Sequence, residues 1–479
     1  MSYTESVIYN EVDFLLPVHR FYVQFSYVKK VGLPFVREFV LRLLHVSPLT
    51  PLELTKYFGF SEREAKEAIT DLLNRGDIQY SDVGNVELTS KSKSYFTSLG
   101  STPEVPTVIE IGTVLCFELG GFNCLGKHNT KYEKWNYGIR LDIDNEITAN
   151  SQKLASSNFQ KQFFEILDKG YIESLTLLDD SDRPRIYSMG PVKKLGQKPL
   201  RLTTLFSLGI DGVPIERNDF GLLNDSEKVH ELITSNLSNS KRPGNFTEIT
   251  HAMNALNDTW TNDFFNDNAF DIAALVRKRA VSSLNDESVI PLIGQLYSQN
   301  NWELICSQLK EIIPRIKKSN TAKKLDMIWL APSDSFWEAS HRLPSTADEF
   351  VDFISLLKSE QFINSPKMYL PVNAVDDRKS ITKWSRELSH IQGNIHGLVE
   401  GFLNGDVEII LVENNYVIVC YHYRTELLPV TLPVGFVSKN PSIINAIQKV
   451  VFEYILGIAS FDNPNDLGPL NQLKPSPRR

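Results

Sequence analysis

Phe35-Val-Arg-Glu-Phe-Val-Leu-Arg-Leu-Leu44 opens the stretch, residues 35–99, around which the chain is organised. Apolar residues recur there at intervals of three and four, which places them along one stripe of a helix: Val36, Phe39, Val40, Leu43 and Leu44. A second helix opens at Thr50-Pro51, because Pro51 lacks the N–H that a first helical position leaves unpaired, and it ends at Gly59. The sequence therefore predicts two consecutive helices.

A third helix and a hairpin complete this stretch. Ser61-Glu-Arg-Glu64 is a capping box, in which the Ser61 hydroxyl and the Glu64 carboxylate each satisfy an unpaired backbone N–H. The helix stops at Gly76, and two short alternating strands follow at 78–81 and 86–89. The predicted order is helix, helix, capped helix and hairpin.

This order resembles that of winged helix-turn-helix domains, and Leu88-Thr-Ser-Lys-Ser-Lys-Ser-Tyr-Phe96 is similar to the helix that follows the wing in many bacterial regulators. That family docks its third helix in the DNA major groove and lays its wing along the backbone. The resemblance, which covers residues 35–99 only, implies a DNA-binding face. Its candidates are Glu62, Arg63, Lys66, Glu67, Thr70 and Asn74 on the third helix, with Lys91 and Lys93 beyond the wing.

The charges of the third helix leave a second interpretation open. Phosphate binding requires a net positive face, whereas three cations here stand against four carboxylates: Arg63, Lys66 and Arg75 against Glu62, Glu64, Glu67 and Asp71. A winged helix can instead dock a protein. DNA is therefore the first expected partner, and a protein bound through the same module is the alternative.

The composition is that of a soluble globular protein, with 42% hydrophobic and 23% charged residues, and 479 residues suffice for about three or four domains. A net charge of −8 excludes a chain that coats nucleic acid through its whole surface. Four scattered cysteines form no C-x-x-C pair, so we expect reduced core residues: Cys116, Cys124, Cys306 and Cys420. No signal peptide or apolar stretch of ~18 residues is present, which predicts a cytoplasmic protein without a membrane partner.

The patterning predicts a multidomain α+β protein. A linker at 100–106 marks the first boundary. The predicted units are a winged helix with an N-terminal strand segment at 1–100, a β-rich α+β domain at 101–224, a helical connector at 225–322, an α/β domain at 323–470 and a disordered tail at 471–479.

The last domain alternates strands with helices, among them a long helix at 380–401 and a hairpin of strands at 408–413 and 416–422. This arrangement resembles one phospholipase-D-like domain. In that family a paired H-x-K-x4-D motif supplies a histidine nucleophile, and its lysine helps to hold the phosphate. After His341, His390 and His396 the lysine position holds Leu343, Gln392 and Leu398. The resemblance therefore implies a degenerate, non-catalytic domain, as found joined to a winged helix in some bacterial sensor-regulators and phage-defence operons.

No catalytic, cofactor or metal residues are predicted, because nothing in the spacing requires the remaining histidines and carboxylates to meet: His396, His422, Asp376, Asp377, Glu400, Asp406 and Glu413. The leading hypothesis is a non-enzymatic bacterial protein that contacts DNA or a DNA-bound partner through its winged helix, as a subunit of a regulatory or antiviral defence system. Two alternatives stay open. One is a phospholipase-D-like nuclease or phosphodiesterase with a diverged site, and the other is a scaffold subunit of a multi-protein defence complex.

Overall fold

The chain is a mixed α+β protein in which helices and strands alternate. The computed structural model describes residues 6–99, 101–127, 137–175, 184–215, 223–240, 242–266, 269–282, 289–319, 323–356, 359–457 and 465–473. Within these residues, none of the helices is both long enough and apolar enough to cross a membrane.

Two long strands open the chain, and three helices and a hairpin follow them. The elements are β1 Val7–Leu16, β2 Val18–Gly32, α1 Phe35–Val46, α2 Pro51–Phe58, α3 Glu62–Asn74, β3 Ile78–Tyr80, β4 Val86–Leu88 and α4 Ser90–Lys93. The predicted caps are confirmed, since Thr50 and Ser61 both form capping boxes and Gly59 ends α2 in the left-handed region at φ 67°. Residues 35–99, called the N-terminal module below, have a small apolar core of their own.

The next region contains β5 Glu104–Glu118, β6 Ile139–Arg140, α5 Asn145–Ala149, α6 Ser151–Lys161, α7 Phe163–Asp168, β7 Arg185–Gln197, β8 Leu200–Leu208 and β9 Pro214–Ile215. Its strands enclose the two N-terminal strands in sheets of order β5-β2-β7 and β6-β1-β8-β9. The grouping of the N-terminal strands with the module is therefore corrected. The alternation of apolar residues in these two strands predicts which side chains are buried. It does not identify the strands they pair with, because those partners lie far away in the sequence. The linker predicted at 100–106 also ends earlier than expected, because strand β5 begins at Glu104, which pairs with Gly32.

The remaining elements are α8 Glu227–Asn239, α9 Phe246–Ala255, α10 Thr259–Asn262, β10 Phe265–Asn266, β11 Ala269–Phe270, α11 Ile272–Ser282, β12 Val289–Ile293, α12 Gln299–Ser319, β13 Met327–Leu330, α13 Arg342–Leu356, β14 Lys367–Val372, α14 Arg378–Glu387, β15 Ile395–Val399, β16 Val407–Val412, β17 Tyr416–Tyr423, β18 Leu432–Ser438, α15 Pro441–Leu456 and β19 Asp466–Pro469. Eight strands form one sheet in the order β12-β18-β17-β16-β13-β14-β15-β19. Strands β13, β14 and β15 are parallel, and the other pairs are antiparallel.

Three sequence predictions are corrected in this region. The predicted helical connector also contributes β12, because a short apolar run without a period fits a strand as well as a helix. The predicted helix at 380–401 ends at Glu387, and its second half is β15, which pairs with β14. Leu473, predicted to be disordered, packs into the core, while residues 474–479 lie outside the described residues.

Candidate functional site

The exposed face of α3 carries the side chains that the sequence predicts to contact DNA. Arg63, Lys66, Thr70 and Asn74 are all exposed. Arg63 Nε donates a hydrogen bond to Glu67 Oε1 at 3.0 Å, one helical turn away. The structure thus places these residues on one face, with a carboxylate already bound to Arg63.

The end of α3 and the hairpin add little positive charge to this face. Arg75 Nε donates to Asp71 Oδ2 at 2.7 Å, and Lys91 Nζ donates to the carbonyl oxygen of Arg75 at 3.1 Å. Lys93 is exposed on α4, and the tip of the hairpin presents Val83. Residues 35–99 contain eight lysine and arginine residues against nine aspartate and glutamate residues. The module therefore has no cationic excess for phosphate binding.

Helix α1 exposes large apolar side chains on the side opposite its core contacts. Its core face consists of Val40, Leu41 and Leu44, which corrects the predicted stripe that also included Val36 and Phe39. The exposed set, called the α1 stripe below, is Phe35 at 73% exposure, Val36 at 44%, Phe39 at 38% and Val46 at 63%. The rings of Phe35 and Phe39 lie 4.5 Å apart, and the Arg42 guanidinium is 5.4 Å from the Phe39 ring centroid.

A second polar site lies at one edge of the eight-stranded sheet. Because β13 and β17 end and β16 begins at this edge, their terminal residues meet there. His422 on β17 is fully buried, with Nδ1 3.1 Å from Asp334 Oδ2 and Nε2 3.1 Å from Glu408 Oε2. The indole N–H groups of Trp329 and Trp337 both donate to Glu408 Oε1. These five residues are called the His422 centre below.

The protonation of the His422 centre follows from its hydrogen bonds. Burial disfavours the charged imidazolium, but the hydrogen bonds to Asp334 and Glu408 outweigh burial and raise the pKa of His422 to about 9. Burial also acts to raise the pKa of Asp334, yet the hydrogen bond and positive charge of His422 lower it overall. The Phe336 N–H and the Thr431 hydroxyl donate to Asp334 Oδ1. The charged groups of the centre are therefore partnered inside the protein.

Two cavities meet beside this centre, and Asp334 and Arg242 line both of them. The larger, of about 390 Å³, is also lined by Arg424, whose Nη1 donates to Asp406 Oδ1 at 2.8 Å. The smaller, of about 180 Å³, is also lined by Lys383. Burial lowers the pKa of the Lys383 ammonium to about 8.

The structure brings together only part of the acidic and histidine set in the sequence. His396 Nδ1 is 3.0 Å from Asp466 Oδ1, Glu413 accepts a hydrogen bond from the Asp326 N–H, and Asp377 caps α14. Asp376 and Glu400 are exposed and do not take part in the His422 centre. Sequence reasoning missed Asp334 and Glu408. A signal for Glu408 was present, since it is the one charged residue in the otherwise apolar strand Val407–Val412.

This geometry does not present a histidine nucleophile at the His422 centre. Both ring nitrogens of His422 face carboxylates, and the side chain has no exposed surface. In comparisons with known proteins, no protein-family model, curated protein or solved structure matches the chain.

Proposed function

We propose that this chain is a non-enzymatic subunit of a DNA-associated bacterial regulatory or defence complex, in which the N-terminal module is a winged helix that docks a partner protein. The observation that carries the proposal is the α1 stripe on a module without cationic excess. The succession of three helices and a hairpin supports the winged-helix assignment.

The charges of α3 favour protein docking over direct reading of DNA. A phosphate that approached Arg63 or Arg75 would compete with Glu67 or Asp71, which already bind these guanidinium groups. The surrounding carboxylates would also repel the phosphates of a duplex. Binding to nucleic acid through this face would therefore lose much of the electrostatic attraction that normally drives it.

The α1 stripe has the composition of a protein interface. Aromatic side chains dominate the binding energy of many interfaces, because they bury large areas at a small cost in conformational entropy. Phe35 and Phe39 already contact one another, so they form a partly ordered anchor before any partner binds. Arg42 lies beside this anchor, with Nη1 3.4 Å from Glu38 Oε1, and the further N–H donors of its guanidinium suit an acidic residue at the rim of the partner's apolar groove. The proposed partner is thus a protein with an apolar groove and an acidic rim.

Co-expression with the proteins encoded beside this chain tests the proposal. We expect a complex that copurifies with the wild-type chain and is lost when Phe35→Ser and Phe39→Ser are combined. The matched control combines Phe164→Ser with Tyr187→Ser, which removes two exposed aromatic side chains outside the module. A complex that survives the first pair, or fails equally with the second, would contradict docking through the α1 stripe.

Direct DNA contact is the second candidate function. Its specific support is the exposure of Lys66, Lys91 and Lys93, with Lys91 next to the end of α3. Binding through these residues would weaken steeply with added salt, because each neutralised phosphate releases counterions. Titration of the isolated chain with duplex DNA at two salt concentrations separates the two candidates.

A further inference from the structure

We propose that Glu408, Cys420 and His422 form a site for one thiophilic divalent cation of the zinc class. Glu408 on β16 is the direct cross-strand partner of Cys420 on β17. Side chains alternate along a strand, so His422, two residues after Cys420, lies on the same face as this pair. Two adjacent strands therefore present a carboxylate, a thiol and an imidazole to one point.

The distances between the three groups suit a single ion. Their potential ligand atoms, one from each side chain, all lie within 4.8 Å of one another. Glu408 Oε2 and His422 Nε2 are 3.1 Å apart. An ion about 2.0 Å from both atoms would subtend an angle of about 100°, close to the tetrahedral geometry of zinc sites. The Cys420 sulfur would complete three corners and leave the fourth to a water molecule.

The surrounding residues hold the ligands as the neighbours of a metal site do. Asp334 faces Nδ1 of His422, which leaves Nε2 as the nitrogen directed at Glu408. A histidine that binds a metal commonly donates its other N–H to a carboxylate in this way. Trp329 and Trp337 both donate to Oε1 of Glu408, which leaves Oε2 for the ion.

Two buried carboxylates stand against the charge of the proposed ion. Glu408, Cys420 and His422 are each fully buried, so any uncompensated charge there would be costly. Glu408 is a proposed ligand, and Asp334 Oδ2 lies 3.1 Å from His422 Nδ1, so both carboxylates lie close to the two positive charges of the ion. The Cys420 thiol would bind as a thiolate, and its proton would leave to solvent.

The proposed ion would join β16 to β17 through its ligands. This proposal is independent of the function proposed for the N-terminal module. The ion would also hold His422 against Asp334, which lines both cavities at this edge of the sheet. Because the ligands have no exposed surface, the ion would serve the architecture of this edge.

Metal content of the full-length chain tests the proposal. The protein is purified after expression with zinc, and its mass is compared under native and denaturing conditions. We expect an excess of one zinc ion per chain in the native protein, absent from Cys420→Ser. The matched control is Cys306→Ser, which alters a cysteine on α12 outside the proposed ligand set and should retain the ion. A wild-type chain without the ion, or an ion retained by Cys420→Ser, would overturn the site.

A second measurement keeps the test decisive if Cys420→Ser fails to fold. Wild-type protein loaded with Co²⁺ should show a thiolate-to-cobalt charge-transfer band, because the proposed site contains a sulfur ligand. Asp334→Asn should keep this band but weaken Co²⁺ affinity about 10- to 100-fold, as expected for a neighbour that orients a ligand. Bound Co²⁺ without a sulfur band would mean that Cys420 is not a ligand and would reject the proposed site.

Discussion

Reversal of two charges on α3 separates protein docking from DNA reading most sharply. The variant combines Arg63→Glu with Lys66→Glu. If α3 entered a groove, each lost contact would cost about 1–3 kcal/mol, so the pair would lower affinity for DNA by about thirtyfold or more. Under the proposed function α3 makes no such contacts. We therefore expect the affinity of the full-length chain for duplex DNA to change by less than about threefold.

The same change should leave the protein folded. The Arg63 side chain is 89% exposed and that of Glu67 is 67% exposed, so their ion pair contributes little. Reversal replaces the pair with repulsion between like charges, at a cost of about 0.5 kcal/mol. The new carboxylates lie near the amino end of α3, where the helix dipole favours negative charge and offsets part of this cost.

Fluorescence anisotropy of a labelled duplex at low salt measures the affinity, and the thermal midpoint checks folding in parallel. The matched control combines Lys153→Glu with Lys161→Glu on α6, which makes the same change in net charge at another exposed surface. A folded α3 variant with at least a thirtyfold loss, beside an unaffected α6 control, would refute the docking argument and assign DNA binding to α3.

Three further results are expected. The purified chain should cleave neither single-stranded DNA, duplex DNA nor a generic phosphodiester, with or without divalent metals, because His422 is enclosed by carboxylates; cleavage lost in His396→Ala would contradict this. Ser61→Ala should lower the free energy of unfolding by about 1 kcal/mol in urea denaturation, because it removes the acceptor for the Glu64 N–H; an unchanged value would show that the cap is not needed. The hydrogen bond to Asp13 outweighs burial and raises the pKa of His341 above 6.5. The stability that protonated His341 contributes to the fold is therefore present in full below pH 6.5 and is lost as the pH rises through the folded pKa. Between pH 6 and 9 the difference in the free energy of unfolding between wild type and His341→Gln should therefore shrink in urea denaturation, and a difference that stays constant with pH would contradict this assignment.

Local signals predicted the N-terminal module closely. The caps at Thr50 and Ser61 depend on contacts three residues apart, and the left-handed end of α2 depends on Gly59 alone. Such features are visible in a single sequence because the interacting groups are near neighbours. The side of α1 that faces the core was harder to predict, because the spacing of its apolar residues fits more than one face. The structure buries Leu41 and leaves Phe39 exposed.

The candidate sites depended on tertiary structure. His422 meets Glu408 because β16 pairs with β17, and it meets Asp334 because that residue follows β13, which lies two positions away from β17 in the same sheet. Neither encounter has a local period or spacing that requires it. The sequence by itself determined which segments of the module are helical and where they end, through hydrogen bonds and sterics within a few residues. Only the tertiary structure decided which strands pair and which buried charges meet, because those contacts join residues separated by long stretches of chain.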